Sequence, residues 1–215
     1  MNIIRLLPAL IASSIFYSSF SLSGIITFDT VNAQDVPDQT FILADYQFTT
    51  IGSASINDNS CGTPRCADNG TQSLVMNVLD RELGGFTLSH RDALAFNLLG
   101  FDVAETFGQN SHAFRWAESL QLTATKIDGS SFIQLFKLDW INDSDYGDKV
   151  DFESFSVGHE FSNLLSINFI GIGGDWNNGF SIDNISVETV SVPEPASLLI
   201  FLFALSILVQ RRKKR

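Results

Sequence analysis

The chain has 215 residues, 45% hydrophobic and 12% aromatic, with 24 acids against 13 bases and a formal net charge of −11. So acidic a balance excludes nucleic acid as a partner, because a polyanion is repelled by a surface of its own sign. Two cysteines leave room for one disulfide. The three histidines, His90, His112 and His159, are too far apart to show a metal-ligand spacing.

Residues 1–33 read as a secretory signal. Arg5 is the single positive charge ahead of the apolar stretch LLPALIASSIFYSSF. Val31-Asn32-Ala33 then places short residues where a signal peptidase reads them, which predicts cleavage between Ala33 and Gln34. The stretch is long and serine-rich, so an uncleaved anchor is the alternative. Residues 34–191 remain as one domain large enough to bury its own core. Two of the 24 acids (Asp29, Glu194) and six of the 13 bases (Arg5 and the five at 211–215) lie outside it, so the domain itself carries −15. Such a surface suits neutral sugars, divalent cations or mere solubility.

Cys61 and Cys66 fall in NDNSCGTPRCADNG. In an oxidising, exported context a disulfide closing this loop is the natural reading, worth about 2 kcal/mol on a chain-entropy model. A redox or metal pair is the alternative, with no histidine close by in sequence.

From Thr40 to Glu188, apolar runs alternate with Gly, Asn, Asp and Ser. They predict strands at 41–49, 72–78, 85–89, 93–104, 119–127, 132–138, 151–157, 164–172 and 180–188. The 93–104 run reads as two short strands around a bend. Asp128-Gly129 predicts a hairpin. About nine strands without a long 3.6-residue period argue for an all-β, antiparallel jelly-roll sandwich. Phe86, Phe96, Phe101, Phe132, Phe136, Phe152, Phe155, Phe161, Phe169 and Phe180 are its expected filling.

Two loops carry candidate chemistry. Asp143, Asp145 and Asp148 stand at near-alternate positions around Gly147. Several oxygen ligands for calcium can come from one such loop, although a solvated acidic turn gives the same pattern. Trp176 with Asn177 and Asn178, and Trp140 in DWINDSDY, combine an aromatic face with amide groups, as a sugar site requires. Trp176 could equally plug the end of the core. No GxSxG, HExxH, phosphate-binding glycine loop or placed cysteine nucleophile occurs, so an enzyme is not expected. A carboxylate pair of the glycosidase kind, hence a small secreted hydrolase, stays open as an alternative.

The phrases AFNLLGFDVA, DFESFSVGHEFSNLLSINFIG and GFSIDNISVETV are similar to those of galactose-binding-like jelly rolls and β-sandwich carbohydrate-binding modules. The resemblance implies a sugar-binding sandwich. It also implies that Asp183, in the closing FSIDNISV, ligates a structural calcium, with Asp45 as the nearest early-strand candidate.

The last segment, 192–215, has three parts in order. Pro193, Glu194 and Pro195 (motif 192–197) make an extended joint. An uncharged apolar run predicts a single transmembrane helix at 196–210, and Arg211, Arg212, Lys213, Lys214 and Arg215 act as a stop-transfer cluster. The run is short for a span, and a plain membrane anchor is the alternative. The order of parts resembles the PEP-CTERM sorting signal of Gram-negative bacteria. That resemblance implies an exosortase as processing partner beside signal peptidase, and a destination at the cell surface or in an exopolysaccharide matrix. The expected role is thus a carbohydrate-binding or structural component of biofilm. A purely structural or adhesive, calcium-stabilised surface protein is the alternative.

Overall fold

The computed structural model describes residues 22–57, 67–76, 84–105, 117–139, 150–173 and 178–190. They belong to one compact unit, Leu22–Val190. The expected sorting motif, transmembrane helix, basic tail and Cys61–Cys66 disulfide lie outside the described residues, as do Asp143, Asp145, Asp148, Trp140, Trp176 and Asn177.

The described chain is all-β, with every strand pairing antiparallel and two sheet layers. One layer runs β3 (Thr40–Leu43), β4 (Tyr46–Ile51), β7 (Gly85–His90), β12 (Leu164–Ile172), β9 (Ser119–Lys126), β10 (Ser131–Lys137). The other runs β2 (Gln34–Asp35), β5 (Ala54–Asn57), β6 (Ser73–Met76), β13 (Phe180–Thr189), β8 (Phe96–Glu105), β11 (Glu153–Ser156). β1 (Leu22–Ile26) lies along the second half of β13, beyond the end of β6. One pair, Leu164 with Phe96, joins the layers, so the whole is a single curled sheet.

Among the described residues thirteen strands replace the expected nine or so, for local reasons. The 41–49 run breaks into a hairpin at Ala44, whose φ of 54° turns the chain. The 93–104 run is one ten-residue strand, not two around a bend; the irregularity falls opposite it, at Asp183 to Val187 on β13. β2 and β5 are too short to carry a period. The Asp128-Gly129 hairpin forms as expected: Gly129 adopts φ 82°, and Asp128 Oδ1 accepts from the Ser130 N–H (2.9 Å) and hydroxyl (2.6 Å).

The first strand bears on the expected domain boundary. β1 pairs along its whole length with Ile185–Thr189, and Phe28 beyond it is fully buried against Phe48. The folded unit therefore begins upstream of Gln34. The apolar residues that resemble the end of a signal are strand and core.

The interior is a network of rings. Phe86 and Phe169 stack at 4.6 Å, and Phe101 meets Phe169 edge-on at 5.8 Å, tying the two layers together. Of the ten expected phenylalanines, Phe86, Phe96, Phe101, Phe136, Phe161, Phe169 and Phe180 are buried. Phe132, Phe152 and Phe155 are only partly so. Phe169→Ala removes a ring from the centre of this network and is expected to cost about 3–5 kcal/mol in denaturant unfolding. A loss under about 1 kcal/mol would show that the ring contacts do not hold the layers.

Candidate functional site

Strand alternation sends Phe48, Phe86, Phe169 and Leu122 inward, where they are fully buried. Their neighbours Thr49, Thr87, Asn168 and Thr123 are partly exposed on the opposite face of the six-stranded layer. Register then lines these up across strands. Thr40, Thr49, Thr87, Asn168, Thr123 and Ile133 stand directly opposite one another in one row. Ile42, Gln47, Ser89, Ser166, Thr125 and Ser131 form the next. Ile51, Gly85, Ile170, Gln121 and Leu135 form a third. With strands about 4.8 Å apart, the face is roughly 24 Å across.

The first two rows are mainly hydroxyl and amide side chains, and the third is largely aliphatic, with Ile51, Ile170 and Leu135 beside Gly85 and Gln121. Threonine is common on strands because its branched Cβ suits the pleat, yet here its hydroxyls also pair: Thr40 Oγ1 lies 3.1 Å from Thr49 Oγ1, and the Thr87 hydroxyl donates to Asn168 Oδ1 at 2.5 Å. Aliphatic side chains mark the two margins, Ile42 and Ile51 toward one, Ile133 (63% exposed) and Leu135 (58%) on the other. No carboxylate and no cation stands in any of the three rows, in a chain with 24 acids. The rows can therefore exchange hydrogen bonds with an uncharged polyhydroxyl partner but hold no counter-charge for an ionic one.

The acids that do cluster lie elsewhere. Glu105 at the end of β8, Asp139 just after β10 and Glu153 at the start of β11 bring carboxylate oxygens within 4.8 Å of one another. Glu105 is buried, 2% exposed, and the Asp139 N–H donates to Glu153 Oε1 at 2.8 Å. Burial, with the Asp139 and Asp151 charges behind it, pushes Glu153 up to about 7 against the pull of that hydrogen bond. Hard divalent cations take such oxygens, and this is the one close trio among the described residues. Asp143, Asp145 and Asp148 lie in sequence between Asp139 and Glu153, outside the described residues. Sequence reasoning missed all three, Glu105, Asp139 and Glu153; an acid at the end of an apolar strand, and the alternation Asp151-Phe152-Glu153, were the available signals.

Asp183, the calcium ligand implied by resemblance, has other partners. It is fully buried, and its Oδ2 accepts from Asn69 Nδ2 (2.9 Å) and the Thr71 hydroxyl (2.8 Å), so it fastens the 69–71 turn to β13. Burial raises its pKa, with the nearby Asp29 charge adding to the rise. It is not in the trio. Asp45 pairs with Arg91 at 3.1 Å. His90 is buried edge-on to Tyr46 and accepts the Asp92 N–H on Nδ1, an arrangement that holds a turn. Asn178 stands two residues ahead of β13, its carbonyl so close to β12 that a Cβ on Gly171 would meet it at 1.9 Å.

No protein-family model matches this sequence, and no curated protein matches it. Among solved structures, the chain is similar to family 29 carbohydrate-binding modules. One is a variant complexed with mannohexaose (TM-score 0.44, 10% identity, 80% of this chain and 94% of that one). Another is described simply as a family 29 carbohydrate-binding module (TM-score 0.43, 11% identity, 83% and 98%). At these values the likeness is one of layered β architecture, and it assigns no residue here to a sugar site.

Glu153 makes the stability of the fold depend on pH. Its folded pKa of about 7 lies above the ordinary 4.5. Between those values the unfolded chain releases a proton that the folded one keeps, so stability falls as pH rises through the window. The melting temperature in chelator is expected to decline from pH 4.5 to 7 in the wild type, and the Glu153→Gln variant is expected to lose part of that decline. Parallel profiles would contradict the assignment.

Proposed function

We propose that this is an exported, non-catalytic module that binds a neutral polysaccharide across the six-stranded layer. The observation that carries the reading is the charge-free row Thr40–Thr49–Thr87–Asn168–Thr123, with the row Gln47–Ser89–Ser166–Thr125–Ser131 on one side and the largely aliphatic row Ile51–Gly85–Ile170–Gln121–Leu135 on the other. Sugar hydroxyls donate and accept, as do these side chains, and the aliphatic margins suit the C–H faces of sugar rings. An anionic polymer would meet the acidic remainder of the domain without a compensating cation in the rows.

The terminal segments supply the address. In this reading an exosortase processes the chain at Pro193-Glu194-Pro195 after the apolar run 196–210 has held it in the membrane, and the domain joins an exopolysaccharide matrix at the surface of a Gram-negative cell. The C-terminal mass of the exported protein tests this: an end near Pro195 is expected only where the exosortase is present, and an intact Arg215 in both strains contradicts it.

The trio Glu105–Asp139–Glu153 favours a second reading, a calcium-stabilised structural or adhesive protein with no glycan site. Affinity electrophoresis in neutral polysaccharides separates the two. Wild type is expected to be retarded, and Thr123→Glu, which puts a charge in the row, to bind at least about tenfold more weakly, a cost near 1.4 kcal/mol, with its melting temperature kept. No retardation of the wild type in any neutral polysaccharide, or equal retardation of the variant, would remove the sugar reading.

A further inference from the structure

We infer that signal peptidase cuts this chain between Ser21 and Leu22, immediately ahead of β1, and not after Ala33. The inference rests on the export reading and revises the position of its processing site.

Every segment between the two candidate bonds is part of the folded unit. β1 makes five consecutive pairs with β13, from Leu22 opposite Thr189 to Ile26 opposite Ile185. Ile26 and Phe28 are buried, and the Phe28 ring meets Phe48 edge-on at 5.6 Å. The following turn is fixed at both ends: the Val31 N–H donates to the Phe28 carbonyl at 3.0 Å, and Asp29 Oδ1 accepts from the Gln72 N–H at 3.0 Å. Val31 itself packs against the core. Cutting after Ala33 would strip the edge of β13 that covers Ile185 and Val187 and would leave a ring-sized void beside Phe48.

The sequence offers a better-placed bond. A leader of 21 residues falls in the usual range of about 15–30, and LLPALIASSIF, residues 6–16, is an apolar region of ordinary length behind Arg5. Ser19 and Ser21 then supply the two small residues that the peptidase reads, with Phe20 between them, directly before the first paired residue. Water adds across the Ser21–Leu22 amide, leaving a carboxylate on Ser21 and an ammonium on Leu22. The mature protein thus begins on its first strand.

The test is the N-terminal sequence of the exported full-length protein, read for wild type, Ser21→Arg and Ala33→Arg. Ala33 is exposed, so its replacement does not disturb the core. The inference expects a wild-type start at Leu22, processing blocked by Ser21→Arg, and an unchanged start in Ala33→Arg. A start at Gln34, blocked by Ala33→Arg, overturns the inference and leaves export intact. An uncleaved Met1 in every form overturns both.

Discussion

Phe86 and Phe169 lie face to face at 4.6 Å between neighbouring strands β7 and β12, and the position of that pair is set by the backbones beside it. A Cβ on Gly85 would meet the Phe169 carbonyl at 2.3 Å, so only glycine allows the two strands this approach. From the stack, Phe48 continues the ring contacts toward β4, and Phe101 carries them into the other layer, where it meets Phe155; Phe136, back on β10, touches both and closes the group. Register follows, because a slip of one residue would turn every ring to solvent. With register fixed inside, the hydroxyls outside are held in rows. The outward rows and the core are two sides of one pattern.

Charge is distributed to match. Among the described residues, Asp128 and Asp38 sit in turns and accept backbone N–H groups, Glu153 and Asp183 belong to two small networks, and Asp102 and Glu188 lie on the strands of the other layer. Neither network reaches the rows of Thr, Ser, Asn and Gln. The three rows thus carry no charge on a chain whose formal net charge is −11.

Much of the fold was legible in the sequence, because alternation and turn chemistry are local. The strand 164–172 and the Asp128-Gly129 hairpin follow from residues within a few positions of one another. β1 was not legible. Ile25, Ile26 and Phe28 are apolar both as the end of a signal and as an edge strand, and only their pairing with residues 185–189 distinguishes the two. The candidate face was illegible for a similar reason: Thr40, Thr87, Thr123 and Asn168 are scattered along the chain, and register alone brings them into line. The sequence reading looked instead to tryptophans in loops. The trio Glu105–Asp139–Glu153 likewise joins three distant segments.

The claim at the centre is that the six-stranded layer, by its outward rows, is where a polysaccharide lies. Backbone amide NMR of the isotopically labelled domain, titrated with a soluble neutral oligosaccharide, tests it directly. The account predicts shifts concentrated at Thr49, Thr87, Thr123 and Asn168 and their row neighbours, with β13 and β8 unmoved. Shifts confined to the other layer, or to the segments joining strands, would contradict it.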